Sequence, residues 1–246
     1  MDIILNAVRD DMKCIVEKQP TVFLPVDDSD AFFPVGRVYC VGRNYAAHSR
    51  EMGDDPDRDP PFFFCKSASC VVPVAYGQDN VISYPMATEQ FEYEVELVVA
   101  IGKGGTNLSV DQAKEAILGY ALGLDMTRRD LQSQAKKKGR PWEVGKSFDQ
   151  SAPIGPITLY DAKLANRLES SSISLAVNGV VKQSSNIANL TWSIEEVICK
   201  LSEVFELRPG DLIMTGTPEN VGPVVVGDKM LASIPELGEF FVTVID

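Results

Sequence analysis

Residues 94–125 read EVELVVAIGKGGTNLSVDQAKEAILGYALGLD, and this stretch decides the class of fold. Glu94 to Ile101 is rich in Val, Leu and Ile and predicts the strongest strand of the chain. Gly102-Lys103-Gly104-Gly105 follows as a turn. Ser109-Val110-Asp111-Gln112 has the spacing of a capping box, so a helix is expected from Val110 to about Leu118. Gly119 to Asp125 is an apolar run suited to a buried strand. Strands outnumber helices and the two do not alternate regularly, which predicts an α+β, β-rich fold and not a doubly wound sheet.

Upstream, Arg37 to Gly42 is a short β-prone run. Asn44 is positioned to cap a helix from Tyr45 to Met52, with Gly53 as its stop. Residues 53–61, GDDPDRDPP, predict a surface loop, and Phe62 to Cys65 a buried strand. Downstream, Thr127 is expected to cap a helix from Arg128 to about Lys138, stopped by Gly139. Asn178-Gly179 is a hairpin signal, because both turn residues need positive φ. Ser193 to Glu196 is a second capping box, opening a helix to about Glu206. Pro209-Gly210-Asp211 turns the chain into the strand Leu212-Ile213-Met214. Three or four helices are expected. Residues 1–34 are weakly patterned, with Val26 to Asp30 as a loop, and read as a lead-in to a single catalytic domain over 35–246.

Composition excludes several functions. The 246 residues carry 23 basic and 35 acidic side chains, a net charge of -12. Such a field repels nucleic-acid backbones and anionic lipid surfaces. The basic cluster Lys136-Lys137-Lys138, with Arg140, reads as a solvated helix end. The longest nearly apolar run, Ala116 to Leu124, is far short of the roughly 20 residues of a bilayer span, and the start lacks the pattern of a secretory signal. Cys14, Cys40, Cys65, Cys70 and Cys199 form neither a disulfide framework nor a zinc motif, which points to a reducing cytoplasm. His48 is the one histidine, so a metal site must be built mostly from oxygen ligands.

Five constellations carry chemistry. Glu94 and Glu96, two apart on a strand, point to one face; taken alone they read as an exposed strand edge. Asp125 ends an apolar run, at a strand end or beside a cation. Together the three offer oxygen ligands suited to Mg²⁺, Mn²⁺ or Ca²⁺, with Glu92 on the same face as a decoy. His48 and Glu51, spaced i, i+3, share a helix face, where the carboxylate can orient the imidazole as a base. Lys146 follows Gly145, but residues 140–144 separate it from Gly139 where a P-loop has four residues between glycines; alone it reads as a surface lysine. Thr215-Gly216-Thr217-Pro218 either holds a carboxylate or is a plain turn.

The motifs occur in a recognisable order: Val41-Gly42-Arg43-Asn44-Tyr45-Ala46-Ala47-His48, Tyr93-Glu94-Val95-Glu96-Leu97, Leu124-Asp125-Met126-Thr127-Arg128-Arg129-Asp130-Leu131-Gln132, Gly145-Lys146-Ser147-Phe148, and Arg208-Pro209-Gly210-Asp211 through Thr215-Gly216-Thr217-Pro218. From about Val35 to Ile245 the chain resembles the fumarylacetoacetate hydrolase family. Pro61-Phe62-Phe63-Phe64, Val98 to Gly105 and Gly139-Arg140-Pro141-Trp142 are similar to its acylpyruvase branch. The resemblance implies a mixed β-roll or sandwich with a few peripheral helices, and a homodimer. It implies Glu94, Glu96 and Asp125 as ligands of one Mg²⁺ or Mn²⁺, His48 and Glu51 as the water-activating dyad, and Lys146 as the site lysine. Arg43, Arg129, Gln132 and Thr217 match substrate-contacting positions. Many relatives carry a histidine where this chain has Tyr93.

The reaction so implied is hydrolytic cleavage of a C–C bond in a 2,4-dioxo acid, fumarylpyruvate giving fumarate and pyruvate in aromatic-acid breakdown. The same site chemistry permits oxaloacetate decarboxylation or a 2-hydroxymuconate-type isomerisation. A non-catalytic ligand-binding protein is the alternative of another class. Contacts to the distal end of the substrate are expected in loops, residues 53–61 among them.

Overall fold

The computed structural model describes residues 15–52 and 59–246. Cys14, the start of the lead-in, the expected helix stop Gly53 and most of the 53–61 loop lie outside the described residues. The described chain runs through β1 (Phe23–Pro25), β2 (Phe32–Pro34), β3 (Val38–Gly42), α1 (Ala46–Glu51), β4 (Phe62–Lys66), β5 (Val71–Pro73) and β6 (Asp79–Ser83). Then come β7 (Phe91–Tyr93), β8 (Val95–Ile101), α2 (Val110–Ala116), β9 (Ile117–Leu124), β10 (Thr127–Arg128), α3 (Arg129–Lys137) and α4 (Glu143–Lys146). β11 (Ala152–Ile154), β12 (Thr158–Leu159), α5 (Ala162–Leu168), β13 (Ser172–Val177), β14 (Val180–Asn186) and α6 (Ile194–Val204) follow. The last strands are β15 (Leu212–Met214), β16 (Gly222–Pro223), β17 (Lys229–Ile234) and β18 (Gly238–Ile245).

An eight-stranded mixed sheet, in the order β4-β3-β15-β8-β9-β11-β5 with β12 also on β9, faces a five-stranded sheet in the order β14-β13-β17-β18-β6. The period of two along β8 divides the interior. Val95, Leu97, Val99 and Ile101 join the core shared with Ile173, Leu175, Met230, Phe240 and Val242 of the second sheet. Val98 and Ala100 enter a smaller cluster on the opposite face, with Ala121, Leu212 and Met214. That cluster is closed by Leu24, Val26 and Phe33 of the β1–β2 hairpin. The region read as a lead-in thus supplies part of a core. Glu96 shares the parity of Val98, and Asp125 that of Ala121, so both carboxylates belong to the end of the smaller core. This is the β-rich α+β sandwich that the sequence predicts.

Both capping boxes form, Ser109 with Gln112 and Ser193 with Glu196, and the helices end at Ala116 and Val204. Asn178 and Gly179 have φ of 51° and 79° and join β13 to β14. Six α-helices are present among the described residues, against the three or four expected. The two unforeseen ones are α5, capped by Asp161 Oδ1 accepting from the Lys163 and Leu164 amides, and the single turn α4. The strand expected to start at Glu94 is broken there: β7 ends at Tyr93 and β8 begins at Val95.

Two expected caps are corrected. Asn44 does not cap α1, whose N-cap is Tyr45 without a side-chain bond. Its amide donates to Trp192 O (3.0 Å) and Thr215 O (2.9 Å) and accepts from Trp192 N (2.8 Å). Thr127 sits in β10 opposite Glu92 and leaves α3 uncapped by a side chain; its hydroxyl donates to Asp125 O at 3.0 Å. Asn44 serves backbone groups 148 and 171 positions away, and Thr127 serves a neighbouring carbonyl while accepting from Lys146, so in both cases other polar groups outcompete the helix amides.

Asn44→Ala removes all three hydrogen bonds. It is expected to cost about 2–4 kcal/mol of stability, on a scale of about 1–3 kcal/mol per buried group left unsatisfied. A fall in the urea midpoint with unchanged slope checks this.

Candidate active site

Glu94 at the β7–β8 break, Glu96 on β8 and Asp125 beyond the end of β9 bring one carboxylate oxygen each to within 4.8 Å of one another. All three are buried. They line one cavity with Arg43, His48, Arg129, Gln132, Lys146 and Thr217. The structure therefore gathers the residues singled out from the sequence into one place, with Glu51 directly behind His48.

Cations hold Glu94 and Asp125 from the protein side. Lys146, 1% exposed, spends its three N–H donors on Glu94 Oε2 (2.8 Å), Asp125 Oδ2 (2.8 Å) and Thr127 Oγ1 (2.7 Å). The reading of Lys146 as a surface lysine is thereby corrected; α4 turns it inward. Arg129, at the first turn of α3, pairs with Glu92 Oε2 (2.6 Å) and Glu94 Oε1 (2.5 Å) and donates to Gln132 Oε1 (2.5 Å). Glu92 is thus removed from the ligand set and engaged by Arg129. Burial alone would raise Glu94, but Lys146 and Arg129 outweigh it and hold its carboxyl far below the usual range. The same two carboxylates, Asp125 and Glu94, outweigh the burial of Lys146 and raise its pKa.

Glu96 is different. Among the described residues it has no ion pair, and it accepts a hydrogen bond from Gly216 N at 2.8 Å. Burial, then Asp125 and Glu94, push its pKa well above the carboxylate range. The Thr215–Pro218 segment thus does hold a carboxylate, the one belonging to Glu96. Gly216 manages it at φ +103°, where a Cβ would also fall 2.9 Å from Asn44 Cβ. Asp125 Oδ1 accepts no hydrogen bond despite its burial. A buried carboxylate without a cation, on an all-oxygen triad, fits a hard divalent ion. Tyr93, where a histidine is common in the family pattern, does not line the cavity, and burial pushes its phenol up to about 12.

His48 Nδ1 lies 3.1 Å from Glu51 Oε2. An ionised carboxylate only accepts, so the shared proton sits on Nδ1 and Nε2 is left with its lone pair. Glu51 is itself anchored by the Asn220 amide at 3.0 Å to both oxygens, and Asn220 reaches it from a φ of +67°. Thr217 donates to Val95 O (2.9 Å) and accepts from Gln183 Nε2 (2.9 Å). Lys136 is not a free helix end: it donates to Met52 O at 3.1 Å and lines the cavity.

Two functional residues escape a reading of the sequence. Gln183, fully buried, clamps the Val95 amide, Thr217 and Pro218 O. Lys66, its side chain 0% exposed, stands 2.8 Å from Asp125 Oδ1. Its protons go to Met126 O, Ser151 Oγ and the Lys146 carbonyl, which explains why that oxygen accepts none. The available signal was a lysine closing the aromatic strand Phe62-Phe63-Phe64-Cys65. Lys66→Met unpairs Asp125 on that side and frees three buried acceptors. A loss of about 3–5 kcal/mol is expected, as for other broken buried pairs, read as a lower midpoint in denaturant.

The chain matches the family model described as "Fumarylacetoacetate (FAA) hydrolase C-terminal" over residues 37–245. It is 45% identical to a fumarylpyruvate hydrolase from Ralstonia over 195 residues, covering 78% of this chain and 98% of that one. It is 35% identical to the oxaloacetate tautomerase YcgM of Escherichia coli, covering 80% and 88%. The crystal structure of fumarylpyruvate hydrolase from Pseudomonas aeruginosa in complex with Mn²⁺ and pyruvate is similar with a TM-score of 0.91 at 54% identity, covering 95% of this chain and 99% of that one. The chain belongs to the fumarylacetoacetate hydrolase family.

Proposed function

We propose that this chain is a metal-dependent hydrolase that cleaves the C3–C4 bond of acylpyruvates, fumarylpyruvate giving fumarate and pyruvate. The observation that carries the reading is the sharing of one cavity by the carboxylate triad, the His48–Glu51 dyad and the buried cation Lys146. The Mn²⁺ and pyruvate of the Pseudomonas aeruginosa relative match that donor set and the product expected here.

Glu94, Glu96 and Asp125 would hold Mg²⁺ or Mn²⁺, which supplies Lewis-acid polarisation of the 2-oxo oxygen and a template for the pyruvoyl end. His48, with Nδ1 tied to Glu51, presents Nε2 to take the proton of a water that adds to the 4-carbonyl. The C3–C4 bond then breaks, its electron pair passing to the pyruvate enolate, which takes up a proton at C3. Lys146 places fixed positive charge beside that developing anion, where preorganised charge is most effective. Arg43, Arg129, Gln132 and Thr217 line the cavity and orient the acid; Arg129 does so while tied to Glu92 and Glu94.

No helix among the described residues is long and apolar enough to cross a membrane. Cys40, Cys65, Cys70 and Cys199 are free thiols. The free thiols support work in a reducing cytoplasm, and fumarylpyruvate as substrate supports a place in aromatic-acid catabolism. The family pattern supports a homodimer, which light scattering would report as twice the chain mass of 26.9 kDa.

Pyruvate release from fumarylpyruvate with Mn²⁺, abolished by EDTA and restored by Mn²⁺, is the expected result. Faster turnover of oxaloacetate, by decarboxylation or by ultraviolet-detected tautomerisation, would overturn the hydrolytic reading. His48→Ala is expected to lose about 10²–10⁴-fold in kcat, the usual range for a general base, with Mn²⁺ binding retained in calorimetry. Glu94→Gln is expected to weaken Mn²⁺ binding itself.

A further inference from the structure

The carboxylate cavity is small. It encloses about 40 Å³, and a water needs roughly 10–15 Å³ on that measure, so it admits only a few non-hydrogen atoms. A 2,4-dioxo acid whose pyruvoyl end sits there must extend elsewhere. A second hollow of about 440 Å³ adjoins it, walled by Phe62, Phe64, Pro141 and Trp142. Arg43, Phe64 and Trp142 line both, so the two lie side by side.

This hollow is built by specific packing. Phe62 meets the Trp142 ring edge-on, with centroids 5.1 Å apart, and Phe64 lies 5.7 Å from it. A Cβ on Gly42 would fall 2.0 Å from the Phe62 ring, so Gly42 is what lets the ring lie across β3. Next along the chain, Arg43 adopts a left-handed φ of 62° and sets its guanidinium 5.2 Å from the Phe62 centroid. A non-glycine residue held in that region is a strained position of the kind that gathers at ligand clamps. The exposed carboxylate of Glu143 also faces the hollow and repels an anion from its side, leaving the Arg43 side as the one that attracts it.

We propose that this aromatic alcove is the acyl subsite. It takes the flat, conjugated acyl end of the substrate against Phe62 and Trp142, with the terminal carboxylate directed to Arg43. The inference rests on the fumarylpyruvate reading and adds to it the residues that favour an unsaturated dicarboxylate-derived acyl end over a short saturated one. Aromatic faces stack on a planar sp² chain, and guanidinium offers five donors, enough for a carboxylate beside its other partners. An acetyl group would use little of this surface.

The test compares kcat/KM for fumarylpyruvate and acetylpyruvate in the Mn²⁺-loaded protein and in Phe62→Leu and Trp142→Leu. The two sites lie on different segments, so a local collapse at one does not mimic the effect at both. The ratio of the two substrates is expected to fall about tenfold in each variant. Fumarate alone serves as a binding probe: its quenching of tryptophan fluorescence should need about tenfold more ligand in Phe62→Leu than in the wild type. An unchanged ratio in both variants, or unchanged fumarate binding in Phe62→Leu, overturns the subsite while leaving the hydrolase reading in place. Wild-type protein that cleaves neither acylpyruvate overturns the hydrolase reading, and the subsite with it.

Discussion

The structure around the site depends on the compensation of buried charge. Four carboxylates, Glu92, Glu94, Glu96 and Asp125, and three cations, Lys66, Arg129 and Lys146, are all buried together. Taking any one of them out of water alone would cost several kcal/mol, and each exists there because of the others. Lys66 stands against Asp125 on one side and Lys146 on the other, while Arg129 links Glu94 to Glu92. Only Glu96 lacks a cation among the described residues, and a hard divalent ion on the triad would provide it. The cluster is therefore both part of the core and the machinery of the site.

The folds on either side serve this cluster. β8 and β9 are apolar on both faces because one face meets the five-stranded sheet and the other meets the hairpin cluster. The carboxylates begin where those apolar runs end. Glu94 interrupts the strand, and Asp125 follows directly after Leu124, so the ligands project at a rim held by ladders that cannot shift register without exposing a core. Asn44, Gln183 and Gly216 fasten the loops that close over this rim, each bonding to backbone or ligand groups from a different part of the chain. The resulting cavity is small where the charges are placed, and an aromatic hollow lies beside it.

What the sequence by itself determined was local in cause. Glu94 and Glu96, two residues apart, stayed together even though the strand breaks at Glu94, and Ser at N-cap with Gln or Glu three residues later started α2 and α6. Asn178-Gly179 made a hairpin because the turn geometry belongs to those two residues. His48 and Glu51 paired because three residues separate them on a helix. The collinear motifs carried the family and with it the candidate site. Tertiary structure alone decided where long-range demands override local preference. Asn44 abandons its helix end for backbone groups it could reach only after folding, and Thr127 takes its place beside the Lys146 ammonium that folding brings to it. Lys146 and Glu94 meet across 52 positions of sequence, and Lys66 lies 60 from Met126, whose carbonyl it binds. Lys146 carries no sign of burial in its own neighbours and Lys66 only the aromatic strand it closes, because what makes a buried ammonium tolerable is the set of oxygens that the rest of the chain brings to it.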